Sequence, residues 1–207
     1  ISMVMLCLDQ PIVKFLFQRG AFDEKATLMT SSALFFYSLG LTGLGIRELL
    51  SKAFYALADA KTPMVNGVMI VALNIFLDFL LLSSMAHKGI ALATSVASWT
   101  GAGLLFYSLR KKISYPFGKQ HCKMMLKGFL AALAMGVEMK GLFALIKAFL
   151  GNGILSQGIE LAVVSGTGFG VYFIMIYCLK VEETYLFFDT AKAKWMHVCK
   201  FAREKKA

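Results

Sequence analysis

Five stretches of about twenty mostly apolar residues each decide what this chain can be: residues 28–46, 63–84, 89–109, 125–150 and 155–179. An α-helix needs about 20 such residues to cross the roughly 30 Å hydrocarbon core of a bilayer. Glu138 and Lys140 interrupt the fourth stretch, and the others carry few charges. Composition agrees. Apolar residues make up 58% of the 207 and charged residues 16%, against roughly 45–50% and 25% in soluble proteins. Too little polar surface remains to wrap one soluble core. The sequence therefore predicts an all-α, polytopic integral membrane protein. A sixth apolar run, 1–17, carries Asp9 and Lys14 and begins without a starting Met or a polar lead-in. It lacks the basic start and small-residue cleavage site of a signal peptide. It reads as the second half of a helix, and the chain as the C-terminal portion of something longer.

The net charge of +10 could suggest nucleic acid, but its distribution points to topology. The segments 18–26, 85–88 and 151–153 carry few basic groups. Arg47, Lys52 and Lys61, the cluster Arg110 to Lys127, and the tail from Lys180 onward carry many. Sixteen Lys and Arg fall on one side and five on the other. Cytoplasmic loops collect such residues, so the C-terminus is expected in the cytoplasm, and no nucleic-acid partner is needed. Residues 181–207 place Phe188, Ala191, Trp195, Val198, Cys199 and Ala202 on one helical stripe among lysines. That pattern suits an amphipathic helix in the membrane interface; a solvated extension is the alternative. Thr62 before Pro63 reads as an N-cap with proline at the first helical position.

No enzyme constellation emerges. The four cysteines are scattered without metal-ligand spacing, and the three histidines stand apart. The glycines at 166, 168 and 170 lie inside a span, not after a strand, so they are no dinucleotide fingerprint. Gly166 and Gly170 read instead as a G-x-x-x-G face for a close helix neighbour. Arg47 and Glu48 read as interfacial anchors. Glu138 and Lys140 point to different faces, either snorkelling to the interface or lining a polar path.

Asn74 and Asp78 are the sharpest signal. A carboxylate inside a span costs about 2.5–3.5 kcal/mol on insertion scales and should have a partner. Spacing i, i+4 puts both side chains on one face. Thr94, returning from the 85–88 turn, reaches the same depth, roughly 9 Å in. Carboxylate, amide and hydroxyl oxygens, joined by a helix carbonyl, suit a hard cation such as Na⁺, or a proton. Plain interhelical hydrogen bonding is the alternative.

Four segments carry a family resemblance: Leu16-Phe17-Gln18-Arg19-Gly20-Ala21-Phe22; Ala33-Leu34-Phe35-Phe36-Tyr37-Ser38-Leu39-Gly40-Leu41; Ala53-Phe54-Tyr55-Ala56-Leu57-Ala58-Asp59-Ala60-Lys61-Thr62-Pro63; and Gly89-Ile90-Ala91-Leu92-Ala93-Thr94-Ser95. In order and spacing they resemble the MurJ (MviN) lipid II flippases of the multidrug/oligosaccharidyl-lipid/polysaccharide exporter superfamily. The match is good over 11–109 and continues mostly as hydropathy from 115. The resemblance implies fourteen helices, of which this chain would hold the end of the ninth and helices ten to fourteen. Residues 1–109 would then be a partial second lobe, 110–124 a basic cytoplasmic loop, 125–180 two extra helices and 181–207 the tail. It implies a sodium site of Asn74, Asp78, the Ile90 carbonyl and Thr94, completed by a carboxylate from a helix absent here. It also implies a lipid-tail groove on the last two helices beside Gly166 and Gly170. The head-group arginines would lie in the absent part, so neither Arg47 nor Arg110 inherits their role. The expected whole is a monomeric flippase of the bacterial inner membrane. It would translocate undecaprenyl-linked peptidoglycan precursor by ion-coupled alternating access, with membrane lipids as neighbours and no organic cofactor. A related polysaccharide-lipid flippase, a drug antiporter, and a structural or inactive membrane fragment are the rivals.

Overall fold

The computed structural model describes residues 1–207 except 19, 21, 114–118, 150–152 and 180–207; the expected amphipathic tail and the centre of the basic loop lie outside the described residues. All seven regular elements there are helices: α1 (Ser2–Cys7), α2 (Asp9–Phe17), α3 (Glu24–Ala56), α4 (Lys61–Met85), α5 (His87–Lys112), α6 (Lys119–Phe149) and α7 (Ile154–Cys178). The last five are long and apolar enough to cross a membrane, as the apolar runs predict.

The N-terminal run is not one continuous helix. It breaks at Leu8, between α1 and α2. Pro11 supplies the reason: it has no N–H for the Cys7 carbonyl, and its ring crowds that carbonyl. The bonds either side survive, Leu8 N–H to the Val4 carbonyl and Ile12 N–H to the Leu8 carbonyl, both at 2.9 Å.

Helix α3 is longer than its apolar run. Asp23 caps its start, accepting from the Ala26 N–H at 2.8 Å. It then continues for 33 residues, about 50 Å, well beyond a hydrocarbon core. Charge at 47–48 does not end it, because backbone hydrogen bonding continues regardless of hydropathy. Arg47 packs its stem beside Gly101 of α5, and Glu48 pairs with exposed Lys52 at 3.6 Å.

The α4 start corrects the expected Thr62 cap. Lys61 opens the helix and Ala60 holds the cap position without a side-chain bond. Asp59 takes the capping role: its carboxylate accepts from the Thr62 N–H at 3.1 Å and the Thr62 hydroxyl at 2.7 Å. A carboxylate is the stronger acceptor. Lys112 at the end of α5 donates to the same carboxylate at 2.8 Å. Together these donors hold the Asp59 carboxyl well below the usual carboxylate range, the lysine contributing most.

Helix α5 lies between α3 and α4 and packs on both. Its buried face is mostly small, with Leu105 the exception: Gly89, Ala91, Ala93, Ser95, Ala97, Ser98, Gly101 and Ala102. Small residues let helix backbones approach closely where lipid offers no hydrophobic drive. A Cβ on Gly40 of α3 would lie 2.7 Å from the Ser95 Cα, and one on Gly43 would lie 3.0 Å from the Trp99 nitrogen. The Ser95 hydroxyl donates to the Phe36 carbonyl, and Trp99 Nε1 donates to the Leu39 carbonyl at 2.9 Å.

Helices α6 and α7 form a second unit, joined to the first by α1 and α2, which touch α3 on one side and α6 or α7 on the other. Its core is Leu8, Met135, Met139 and Val164. Among the described residues the G-x-x-x-G pair meets no close neighbour. Gly166 and Gly170 are exposed, and a Cβ on either would meet nothing within 4 Å. The close approach is at Gly168, where a Cβ would lie 2.8 Å from Met139 Cγ. Gly168 shares the buried face with Val164, one turn earlier, whereas 166 and 170 lie on other faces of α7. Glu138 is half-buried, with Oε2 enclosed and no hydrogen-bond partner, while Lys140 is exposed.

Candidate cation site at the α4–α5 hairpin

Helix α4 presents Asn66, Ile70, Asn74 and Asp78 at successive i+4 positions, one stripe along the helix. Asn66 and Ile70 meet Gly101 of α5: the Asn66 amide donates to the Gly101 carbonyl at 3.4 Å, and Ile70 fills the space beside it. The next two turns of the stripe carry the expected site residues.

The hairpin sets their height. Ala86 turns the chain with φ +48° and ψ −130°, and Gly89 donates back to the Ala86 carbonyl at 3.0 Å. A Cβ on Gly89 would lie 2.5 Å from the Leu81 carbonyl oxygen. Glycine there lets α5 start hard against α4, one residue before Ile90. Asp78 is seven residues from Met85, and Thr94 is seven from His87, so each sits about 10 Å from the turn.

Asn74, Asp78, Ile90 and Thr94 are all half-buried. The Thr94 hydroxyl donates to the Ile90 carbonyl at 3.0 Å. With its nitrogen toward α5, the Asn74 amide donates to Thr94 Oγ1 at 3.3 Å. Turned over, it donates to Asp78 Oδ2 at 3.2 Å and accepts from the Thr94 N–H at 3.1 Å. The second orientation satisfies both amide atoms, which is how such orientations are assigned. Asp78 Oδ1 is enclosed and, among the described residues, has no hydrogen-bond partner in either case. A buried acceptor left in this state is costly, and its preferred complement is a proton or a cation. The neighbouring donors are oxygens, the set a hard cation takes.

So the structure brings Asn74, Asp78, Ile90 and Thr94 together and leaves Gly166 and Gly170 on a distant, open face of α7. Sequence reasoning missed Gly89 and Gly101, which set the α4–α5 spacing, and the Gly40–Gly43 seam that braces α5 from behind. The run of small residues on α5 was the available signal. What it lacked was which helix would meet which face.

The family model described as "Lipid II flippase MurJ" matches residues 1–158. A probable lipid II flippase MurJ of Thermotoga maritima is 34% identical over 182 residues, covering 88% of this chain and 35% of that protein. Its counterpart in Rickettsia prowazekii is 30% identical over 184 residues, covering 86% of this chain and 35% of that protein. The solved structure titled "Lipid II flippase MurJ, inward closed conformation" superposes with a TM-score of 0.63 at 30% identity, covering 84% of this chain and 34% of that one. The chain thus spans about a third of the length of these relatives.

Proposed function

The chain belongs to the MurJ family of lipid II flippases, and from that premise we propose that the intact protein moves lipid II across the bacterial inner membrane. It works as a transporter, with its C-terminus in the cytoplasm and a cation at the α4–α5 hairpin biasing one conformation. The observation that carries the ion-dependent part is the enclosed, unpartnered Asp78 Oδ1 beside an amide that can present either atom.

In this reading Asn74 and Asp78 supply side-chain oxygens, and Thr94 offers a lone pair while still donating to the Ile90 carbonyl. A bound Na⁺ supplies positive charge and nothing else. The Asn74 amide turns its oxygen toward the ion when it is present and donates to Asp78 when it is absent. A ligand shifts a conformational equilibrium only by its differential affinity for the two states. The amide reversal provides such a difference between occupied and empty hairpins. A further carboxylate from outside this chain, which the resemblance implies, would complete the charge. The exposed face of α7 around Gly166 and Gly170 is the lipid-tail groove in this reading, smooth because no side chain projects from those positions.

Thermal unfolding of the purified full-length protein across a Na⁺ series, with K⁺ holding ionic strength constant, tests the site. Wild type should gain stability by about 2.7 kcal/mol at a hundred times the dissociation constant. Asp78→Asn should lose that gain. An identical Na⁺ response in both proteins would make Asp78 a structural hydrogen-bonding residue. Complementation of a strain depleted of its lipid II flippase tests the substrate, with failure to restore growth by well-expressed wild type counting against it.

A further inference from the structure

A second polar site lies away from the hairpin. A cavity of about 280 Å³ opens between α2, α3, α6 and α7, and Lys14, Gln18, Glu24, Lys147, Gln157 and Glu160 line it. That is room for about nine waters at 30 Å³ each. Every lining residue falls within about two turns of a helix end, and all four ends are at the same face of the molecule. Glu160 is 6% exposed. Its carboxylate forms no hydrogen bond or ion pair among the described residues, nor do Lys14 and Lys147 pair with it or with Glu24 across the cavity. Gln18 Oε1 is enclosed and has no partner among the described residues.

A buried carboxylate facing a cavity, with no protein cation on it, asks for a positive group from outside. A bare metal ion is a poor answer, because two lysines share the lining. A simple anion is a poor answer too, because Glu160 would repel it. A group carrying both signs satisfies the set. We propose that this cavity binds the phosphoethanolamine headgroup of an aminophospholipid. The ammonium sits deep on Glu160, and the phosphate at the mouth between the exposed Lys14 and Lys147. The order of charges matches a lipid entering from the bilayer, whose ammonium is farther from the tails than its phosphate. The cavity's position at the helix ends matches headgroup depth. The site is separate from the cation hairpin and does not depend on its occupancy.

Native mass spectrometry of the delipidated full-length protein tests this, using phosphatidylethanolamine and phosphatidylglycerol of identical chains. Wild type should bind the ethanolamine lipid about tenfold more tightly, the worth of one charge-assisted hydrogen bond. Glu160→Gln should erase that preference while leaving phosphatidylglycerol binding unchanged. The exposed pair Lys14→Gln, Lys147→Gln should weaken both lipids at least about threefold, and decides the matter if Glu160→Gln does not fold. Equal binding of the two lipids by wild type overturns the proposal. So does a preference that survives Glu160→Gln, or full binding by the double lysine variant. Displacement of the lipid by an equal concentration of soluble O-phosphoethanolamine would assign the cavity to a free zwitterion and overturn the lipid.

Discussion

The two packing units of this molecule solve the same problem in opposite ways. In α3–α4–α5, helices meet backbone to backbone through glycine, alanine and serine on α5, the one span of the five that is half buried. The second unit closes around methionines instead. Dispersion is lost outright when backbones in contact separate, whereas methionine re-packs through three rotatable bonds. The unit that holds the candidate cation residues is tied by backbone contacts, and the other by side chains that can re-pack.

The largest effect should come from one substitution made in both units. Gly40→Ala drives a Cβ to 2.7 Å from the Ser95 Cα, and Gly168→Ala drives one to 2.8 Å from Met139 Cγ. Backbone cannot move aside, but a methionine side chain can re-pack about its rotatable bonds. Gly40→Ala should cost about 3 kcal/mol, the upper end for overpacking, and Gly168→Ala under about 1 kcal/mol. Thermal unfolding reads both, and equal losses would erase the distinction between the units.

A smaller effect separates the α7 faces. Gly166→Leu with Gly170→Leu should leave abundance and unfolding within about 0.5 kcal/mol of wild type, as surface changes do. If the groove reading holds, the same pair should lower growth support. A large loss of abundance would show a partner on that face.

The α4–α5 turn offers a gain. Ala86 occupies a positive-φ region suited to glycine, so Ala86→Gly should stabilise by about 1 kcal/mol. No change, or a loss, would mean the turn relaxes differently in the intact protein.

The smallest effect is at the rim, where Lys112 and Thr62 hold Asp59. A carboxyl lowered by folding contributes stability above its unfolded value, about 3.9, and loses it as pH falls through the folded value. Wild type should therefore exceed Asp59→Asn in stability at pH 7. The gap should close as pH drops below about 4, measured as paired unfolding curves. A gap independent of pH would assign Asp59 a purely steric role.

What could be read in advance follows from the range of each interaction. The five spans were legible because twenty apolar residues in a row leave few other fates. Asn74, Asp78 and Thr94 were legible because helical spacing and a short turn fix depth by arithmetic. Pro11 stood in the sequence as a break signal inside a run read as continuous. The ends of α3 were hidden because hydropathy marks where lipid stops, not where hydrogen bonding does. The Gly40–Gly43 seam went unread while Gly166 and Gly170 drew attention. A G-x-x-x-G spacing defines a face without naming its neighbour, while Gly40 and Gly43 acquire their meaning only once Ser95 and Trp99 stand opposite. The polar cavity drew its residues from four helices distant in sequence, so no local pattern announced it.

The interruption at Leu8 has a mechanical consequence. A helix missing one rung bends there more readily than it stretches. Leu8 itself is wholly enclosed, seated among methionines that accommodate small rotations without opening a void. Short rods on either side bear on the first unit and on the second. The result is a corner rather than a strut: α1 and α2 each touch α3 and one helix of the second unit, so a single buried side chain seats both units against the bend.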